Sequence, residues 1–158
     1  MFSDNYAYAS TAIFISLLTS TAIASDLLQA TSVKSSQVKT YQYKDKNAQV
    51  THQVSNSLLG KYELSAAGMK YPEYARSTTL HANGKGVSHN YGKNQAPENF
   101  EWGVMVQNGR VFVDSDNGVP STVLVFKWSN GKYGYNKLHV YNGKLALHGP
   151  YGSRLEKQ

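Results

Sequence analysis

Four Asn-Gly dipeptides, Asn83-Gly84, Asn108-Gly109, Asn130-Gly131 and Asn142-Gly143, punctuate the second half of this 158-residue chain, each between two runs that read as strands. A tight type I′ hairpin turn needs positive φ at both central residues, and Asn-Gly tolerates this best. Asp116-Asn117-Gly118, just before Pro120, marks a fifth, looser turn. Upstream, Val38-Lys39-Thr40-Tyr41-Gln42-Tyr43 and residues 49–54 alternate with period two about the charged turn Lys44-Asp45-Lys46-Asn47, which reads as another hairpin. Residues 58–64 form the next strand. Hairpins repeated in this way imply an antiparallel, all-β meander. The 13 glycines and 12 tyrosines, against three methionines and no leucine-rich periodic segment, point the same way.

Two-residue loops fix register. About Asn108-Gly109 they pair Val106 with Val111 and Val104 with Val113, with Trp102 on the same, core-facing side; Met105 and Phe112 share the more exposed face with Gln107, Arg110 and Asp114. About Asn142-Gly143 they pair Val140 with Leu145 and Leu138 with Leu147. The hairpin at Asn130-Gly131 differs. With Leu124, Phe126, Trp128, Tyr133 and Tyr135 on one face and Val123, Val125, Leu138 and Val140 on the other, both sides need cover. Such a pair either lines a cavity while packing outward, or presents an aromatic surface to a partner.

The first 36 residues follow other rules. Residues 12–24 are mainly apolar, too short for the ~20 residues a bilayer span requires, and end in Ala22-Ile23-Ala24, the small residues a signal peptidase inspects. The expected organisation is a signal peptide over 1–24, a polar lead-in over 25–36 and a single β domain over 37–158. Residues 1–11 hold Asp4 and no Lys or Arg, an atypical start for a signal. With no cysteine there is no disulfide, thiolate metal site or cysteine nucleophile, so stability rests on the core. The chain also lacks an Asn-x-Ser/Thr acceptor, and together these features suit a bacterial periplasmic or secreted protein. A net charge of +6 is scattered singly over turns and strand ends, which describes a solvated surface and not a nucleic-acid footprint.

Little in the chain speaks of catalysis. There is no nucleophile elbow and no His-Glu-x-x-His; Gly84-Lys85-Gly86 lacks the spacing of a phosphate loop; and Glu63, Glu73, Glu98, Glu101, Asp114 and Asp116 show no acid–base pairing. Five histidines, His52, His81, His89, His139 and His148, have no metal-ligand spacing, and the hairpin registers set His81 against His89, and His139 against His148, on opposite faces. The expectation is a protein that is not an enzyme, with no cofactor and no metal. The best candidates for ligand contact are Trp102, Phe126, Trp128, Tyr133 and Tyr135. The loop Tyr71-Pro72-Glu73-Tyr74 offers Tyr71 and Tyr74 to a partner or as cover for a barrel mouth.

From residue 58 onward the order of features resembles the lipocalin-like, calycin-type β-barrel domains of exported bacterial proteins. The resemblance rests on Leu59-Gly60-Lys61-Tyr62-Glu63-Leu64, on Thr79-Leu80-His81-Ala82-Asn83-Gly84-Lys85-Gly86, on Glu101-Trp102-Gly103-Val104, and on the run from Lys137 to Leu147 leading to a short closing strand at residues 153–156. Tyr62 stands where such domains usually carry Trp. The resemblance implies a small antiparallel up-and-down barrel of about eight strands, which removes exposed sheet edges by closing. It implies no chemistry. Two functions follow as expectations: an exported, non-catalytic protein binding another protein through loops or an aromatic face, as inhibitor, immunity or adaptor protein; or a carrier of a small apolar ligand or haem. A lumen packed shut favours the first and an internal void the second.

Overall fold

A computed structural model describes residues 33–64, 73, 75–116, 119–150 and 153–158. The proposed signal peptide, most of the lead-in, Tyr71, Tyr74 and the Asn117-Gly118 loop lie outside the described residues. Among the described residues twelve strands run in order: β1 (Val38–Tyr43), β2 (Lys46–Thr51), β3 (Gly60–Leu64), β4 (Ser77–Leu80), β5 (Lys85–His89), β6 (Glu98–Gln107), β7 (Arg110–Val111), β8 (Asp114–Asp116), β9 (Val119–Trp128), β10 (Tyr133–Tyr141), β11 (Lys144–His148) and β12 (Arg154–Lys157).

Eight of them close into a barrel. β3, β4, β5 and β6 pair successively, β6 pairs β9, and β9, β10, β11 and β12 return the sheet to β3, every pairing antiparallel. This is the expected up-and-down barrel, with β7 and β8 as an excursion between β6 and β9. The hairpin at Asn108-Gly109 pairs Val106 with Val111 as expected and ends with the bond from Phe112 N–H to Met105 O at 2.8 Å. Val113 turns out to solvent at 47% exposure, and Val104 takes Leu124 of β9 as its partner instead, because the longer β9 completes the barrel.

The Asn-Gly turns are of two kinds. Asn108-Gly109 and Asn142-Gly143 are two-residue loops with positive φ at both residues, and Lys44-Asp45 makes the same turn, so that Tyr43 pairs Lys46 and the expected four-residue turn shrinks to two. At Asn83-Gly84 and Asn130-Gly131 only the glycine has positive φ. There the loop has three residues: Gly84 N–H donates to His81 O, and Gly131 N–H to Trp128 O. The asparagine side chain decides the difference, since Asn83 Oδ1 accepts from Lys85 N at 3.0 Å and Asn130 Oδ1 from Lys132 N at 2.9 Å, which holds the asparagine in a right-handed turn. The extra residue shifts register by one. Tyr133 and Tyr135 consequently pair with Lys127 and Val125 and leave the face of Phe126 and Trp128.

Two cores result. The barrel interior holds Leu58, Tyr62, Leu64, Leu80, Phe100, Trp102, Val104, Leu124, Phe126, Leu138, Leu147 and Leu155. Outside the wall, the β1–β2 hairpin folds over β9 and β10, burying Tyr41, Val50, Val123 and Val125 with Tyr43, Met105, Phe112, Tyr133 and Tyr135 packed around them. Met105 and Phe112, expected on the more exposed side, are covered by this hairpin. The fold-over depends on Gly103, whose Cα faces Val50 so closely that a Cβ there would stand 2.8 Å from Val50 Cβ.

Candidate functional site

The lumen is filled at one end only. Around the β4–β5 and β10–β11 turns it is packed by Trp102 and Tyr62, both wholly buried, with Leu58, Leu80, Val104, Leu124 and Leu138. Trp102 Nε1 donates to Lys85 O at 2.9 Å and Tyr62 Oη to Leu58 O at 2.7 Å, so each ring's polar tip is satisfied inside the plug. Burial pushes the Tyr62 phenol well above its ordinary pKa. The other end is open, and there the barrel encloses a cavity of about 620 Å³, within the range of small-molecule sites.

One wall of the cavity is aromatic. The Phe100 ring lies 5.1 Å from Phe126 and 5.2 Å from Trp128, edge to face in both cases. Phe100 can lie there because its neighbour across the ladder is Gly86, where a Cβ would come within 2.4 Å of the ring. Leu64, Leu147 and Leu155 complete the apolar floor, Thr78 and Ser88 add polar groups to the lining, and Gly134, opposite Phe126, leaves space beneath the Trp128 indole.

The mouth is polar. Glu73, Arg76, Asn90, Lys93, Asn136 and Ser153 surround it. Arg76 stands just before β4 and is half-buried; its Nη2 donates to Ser153 Oγ, and burial lowers the guanidinium's pKa from the ordinary arginine value. No carboxylate among the described residues pairs with it. Gly149 lets the polar groups converge: a Cβ there would lie 2.9 Å from Ser153 Oγ, 3.2 Å from Asn136 Oδ1 and 3.8 Å from Arg76 Nη2. Asn90 gives its Nδ2 to Gln95 Oε1 at 3.2 Å, while its buried Oδ1 has no partner among the described residues.

The five aromatic candidates are thus divided. Phe126 and Trp128 line the cavity. Tyr135 contributes to the lining, yet its ring meets Tyr43 edge-on at 4.9 Å on the outer face. Tyr133 also lies outside, against Tyr41 at 5.8 Å, and Trp102 belongs to the plug, away from the cavity. The expected shared face of Trp128, Tyr133 and Tyr135 fails because of the three-residue loop. Sequence reasoning missed Arg76, Asn136, Gly149 and Ser153 altogether. No local signal marks them, since β4, β10 and the β11–β12 connection bring them together across the barrel.

The histidines also need correction. Lys137 pairs with His148, so His148 stands diagonally across from His139 on one face, with ring centroids 5.2 Å apart. His81 N–H bonds to Lys85 O and His89 pairs Ser77, which sets His81 and His89 on one side of the ladder at opposite ends. His52 lies between Tyr41 and Trp102, with both ring nitrogens buried and, among the described residues, without a hydrogen-bond partner of good geometry; burial first, and Lys39 second, lower its pKa, against a weaker opposing contribution from the Trp102 backbone. Among the described residues no three His, Cys, Asp or Glu side chains are grouped to hold a metal ion. Two Ser-x-x-Lys spacings, Ser36 to Lys39 and Ser129 to Lys132, sit exposed on a 3-10 turn and a hairpin loop, where nothing activates the serine.

Comparison with models of known families, with curated proteins and with solved structures returned no match. The class is therefore defined by geometry alone: an eight-stranded antiparallel barrel, plugged at one end and hollow at the other.

Proposed function

We propose that this protein is a non-catalytic, lipocalin-like binding protein that takes a small, largely apolar molecule into the open end of its barrel. The cavity of about 620 Å³ carries the reading: it is walled by Phe100, Phe126 and Trp128 and stands over a plug that needs no ligand for its own packing. Of the five aromatic residues expected at such a site, Phe126, Trp128 and Tyr135 contribute to its lining. Binding of a protein partner through an aromatic face draws less support, because the Tyr133 and Tyr135 rings are packed beneath the β1–β2 hairpin. Export through cleavage after Ala24 belongs to the same proposal and fits the cysteine-free chain.

The test is titration with the uncharged fluorophore N-phenyl-1-naphthylamine, which brightens in apolar surroundings. Saturable brightening by the wild type, abolished in Gly134→Leu with an unchanged far-ultraviolet spectrum, is the expected result, since the new side chain enters the space beneath Trp128. Absence of brightening in the wild type, or equal binding by Gly134→Leu, refutes the site.

A further inference from the structure

Resting on that reading of the cavity, we propose that its ligand is an amphipathic monocarboxylate, its apolar body against Phe100, Phe126 and Trp128 and its carboxylate on the Arg76 guanidinium. The first ground is the state of Arg76. A guanidinium offers five N–H donors, and among the described residues only one bond is made, from Nη2 to Ser153 Oγ. This cation is held half out of water at the lip of an apolar chamber without a carboxylate partner in the described residues, and burial lowers its pKa. Arginine placed so presents a planar fork that matches a carboxylate through two parallel bonds.

The second ground is the absence of a side chain at residue 149. Any Cβ at that position would stand within 4 Å of Arg76 Nη2, Ser153 Oγ and Asn136 Oδ1 together, so the glycine keeps open the point where these polar groups meet. Asn136 and Ser153 come from different strands and connections than Arg76, and both line the cavity. The third ground is charge. Among the described residues, Arg76 and Lys93 against Glu73 leave the mouth with a surplus of one positive charge, which a singly charged head neutralises and a doubly charged phosphate monoester exceeds. Below the mouth the lining is mainly apolar, with Thr78 and Ser88 as its polar members, so a head at Arg76 sends its chain toward Phe126 and Leu147.

Dodecanoate and dodecanol differ only at the head and serve as probes, competing against N-phenyl-1-naphthylamine at neutral pH. The wild type is expected to release the fluorophore at a dodecanoate concentration at least about tenfold below that of dodecanol, the effect of one charge-assisted hydrogen-bond pair. Arg76→Gln erases the difference and leaves dodecanol unchanged; Arg76→Lys, which keeps the charge and loses the fork, retains part of it. If Arg76→Gln does not fold, as judged by its far-ultraviolet spectrum, the wild type in rising salt gives the same answer: the advantage of dodecanoate shrinks and dodecanol stays constant. Equal competition by the two probes in the wild type, or a preference that survives Arg76→Gln, overturns the carboxylate assignment and leaves the apolar cavity standing. Failure of the fluorophore and of both probes to bind overturns the cavity reading itself.

Discussion

Gly103→Ala tests whether the outer hairpin is held by contact with the barrel wall. The added Cβ would stand 2.8 Å from both Cβ and Cγ2 of Val50 and 3.3 Å from Thr51 O, where ordinary contact begins at 3.4 Å. Val50 is wholly buried and cannot swing aside, so β2 must retreat from β6 by about 0.6 Å. A backbone hydrogen bond near 2.9 Å lengthened by that amount reaches the limit at which it counts as one. The bonds at risk flank the Val50–Met105 and Thr51–Val104 pairs. Overpacking of a tight site costs about 1–3 kcal/mol, and weakening one such bond adds about 1 kcal/mol. For a domain of this size the sum corresponds to a fall in Tm of roughly 10 °C. Thermal unfolding by calorimetry reads the global cost, and amide exchange reads whether residues 46–51 lose protection first. A Tm within about 2 °C of wild type together with unchanged exchange in β2 would refute the account of Gly103.

The remaining predictions are simpler. Tyr62→Phe removes the donor to Leu58 O in the plug and costs about 1–2 kcal/mol, seen as a lower urea midpoint with unchanged slope. Lys85→Ala breaks a largely exposed ion pair with Glu101 and shifts stability by no more than about 0.5 kcal/mol; a larger change would mean that the pair supports the wall. His52 and His139 both have pKa values lowered first by burial, so the unfolded chain binds protons more readily; stability is full above about pH 6.5 and falls as the pH drops through the lowered values. Melting curves between about pH 7.5 and pH 5 check this, and His52→Gln flattens the dependence. Production of the full chain in a bacterium with a general export pathway yields a periplasmic product whose first residue is Ser25; an unprocessed cytoplasmic chain refutes the signal.

Much of the barrel was written in short-range code. Strand positions and the Val106–Val111 and Leu138–Leu147 pairings follow from alternation and from turns that need positive φ, whereas the closing strand near residue 154 follows from the resemblance to lipocalin-like barrels. That code fails where one dipeptide serves two turns. Asn83 and Asn130 bond their own chain two residues on, the loops gain a residue, and Tyr133 and Tyr135 change faces as a result. The cavity mouth was illegible for a different reason: Arg76, Asn136 and Ser153 meet only once the sheet has curled through a full turn, and nothing local to any of them records that meeting. The half-filled lumen is likewise a sum over side-chain volumes from all eight strands, which no single segment reveals.

β12, only four residues long, is the last piece of the ring, joining β11 on one side and β3 on the other through Leu155–Leu64 and its neighbours. Residues near 63 therefore wait for residues near 156, and until those arrive β3 and β11 are both raw edges facing the same gap. This is the longest-range pairing in the described sheet, so its loop closure carries the largest entropic cost. The gap fits any copy of residues 154–157, including one supplied by a neighbouring chain. Crowded refolding therefore favours exchanged dimers that retain every ladder bond of the monomer, while dilution favours the self-sealed ring.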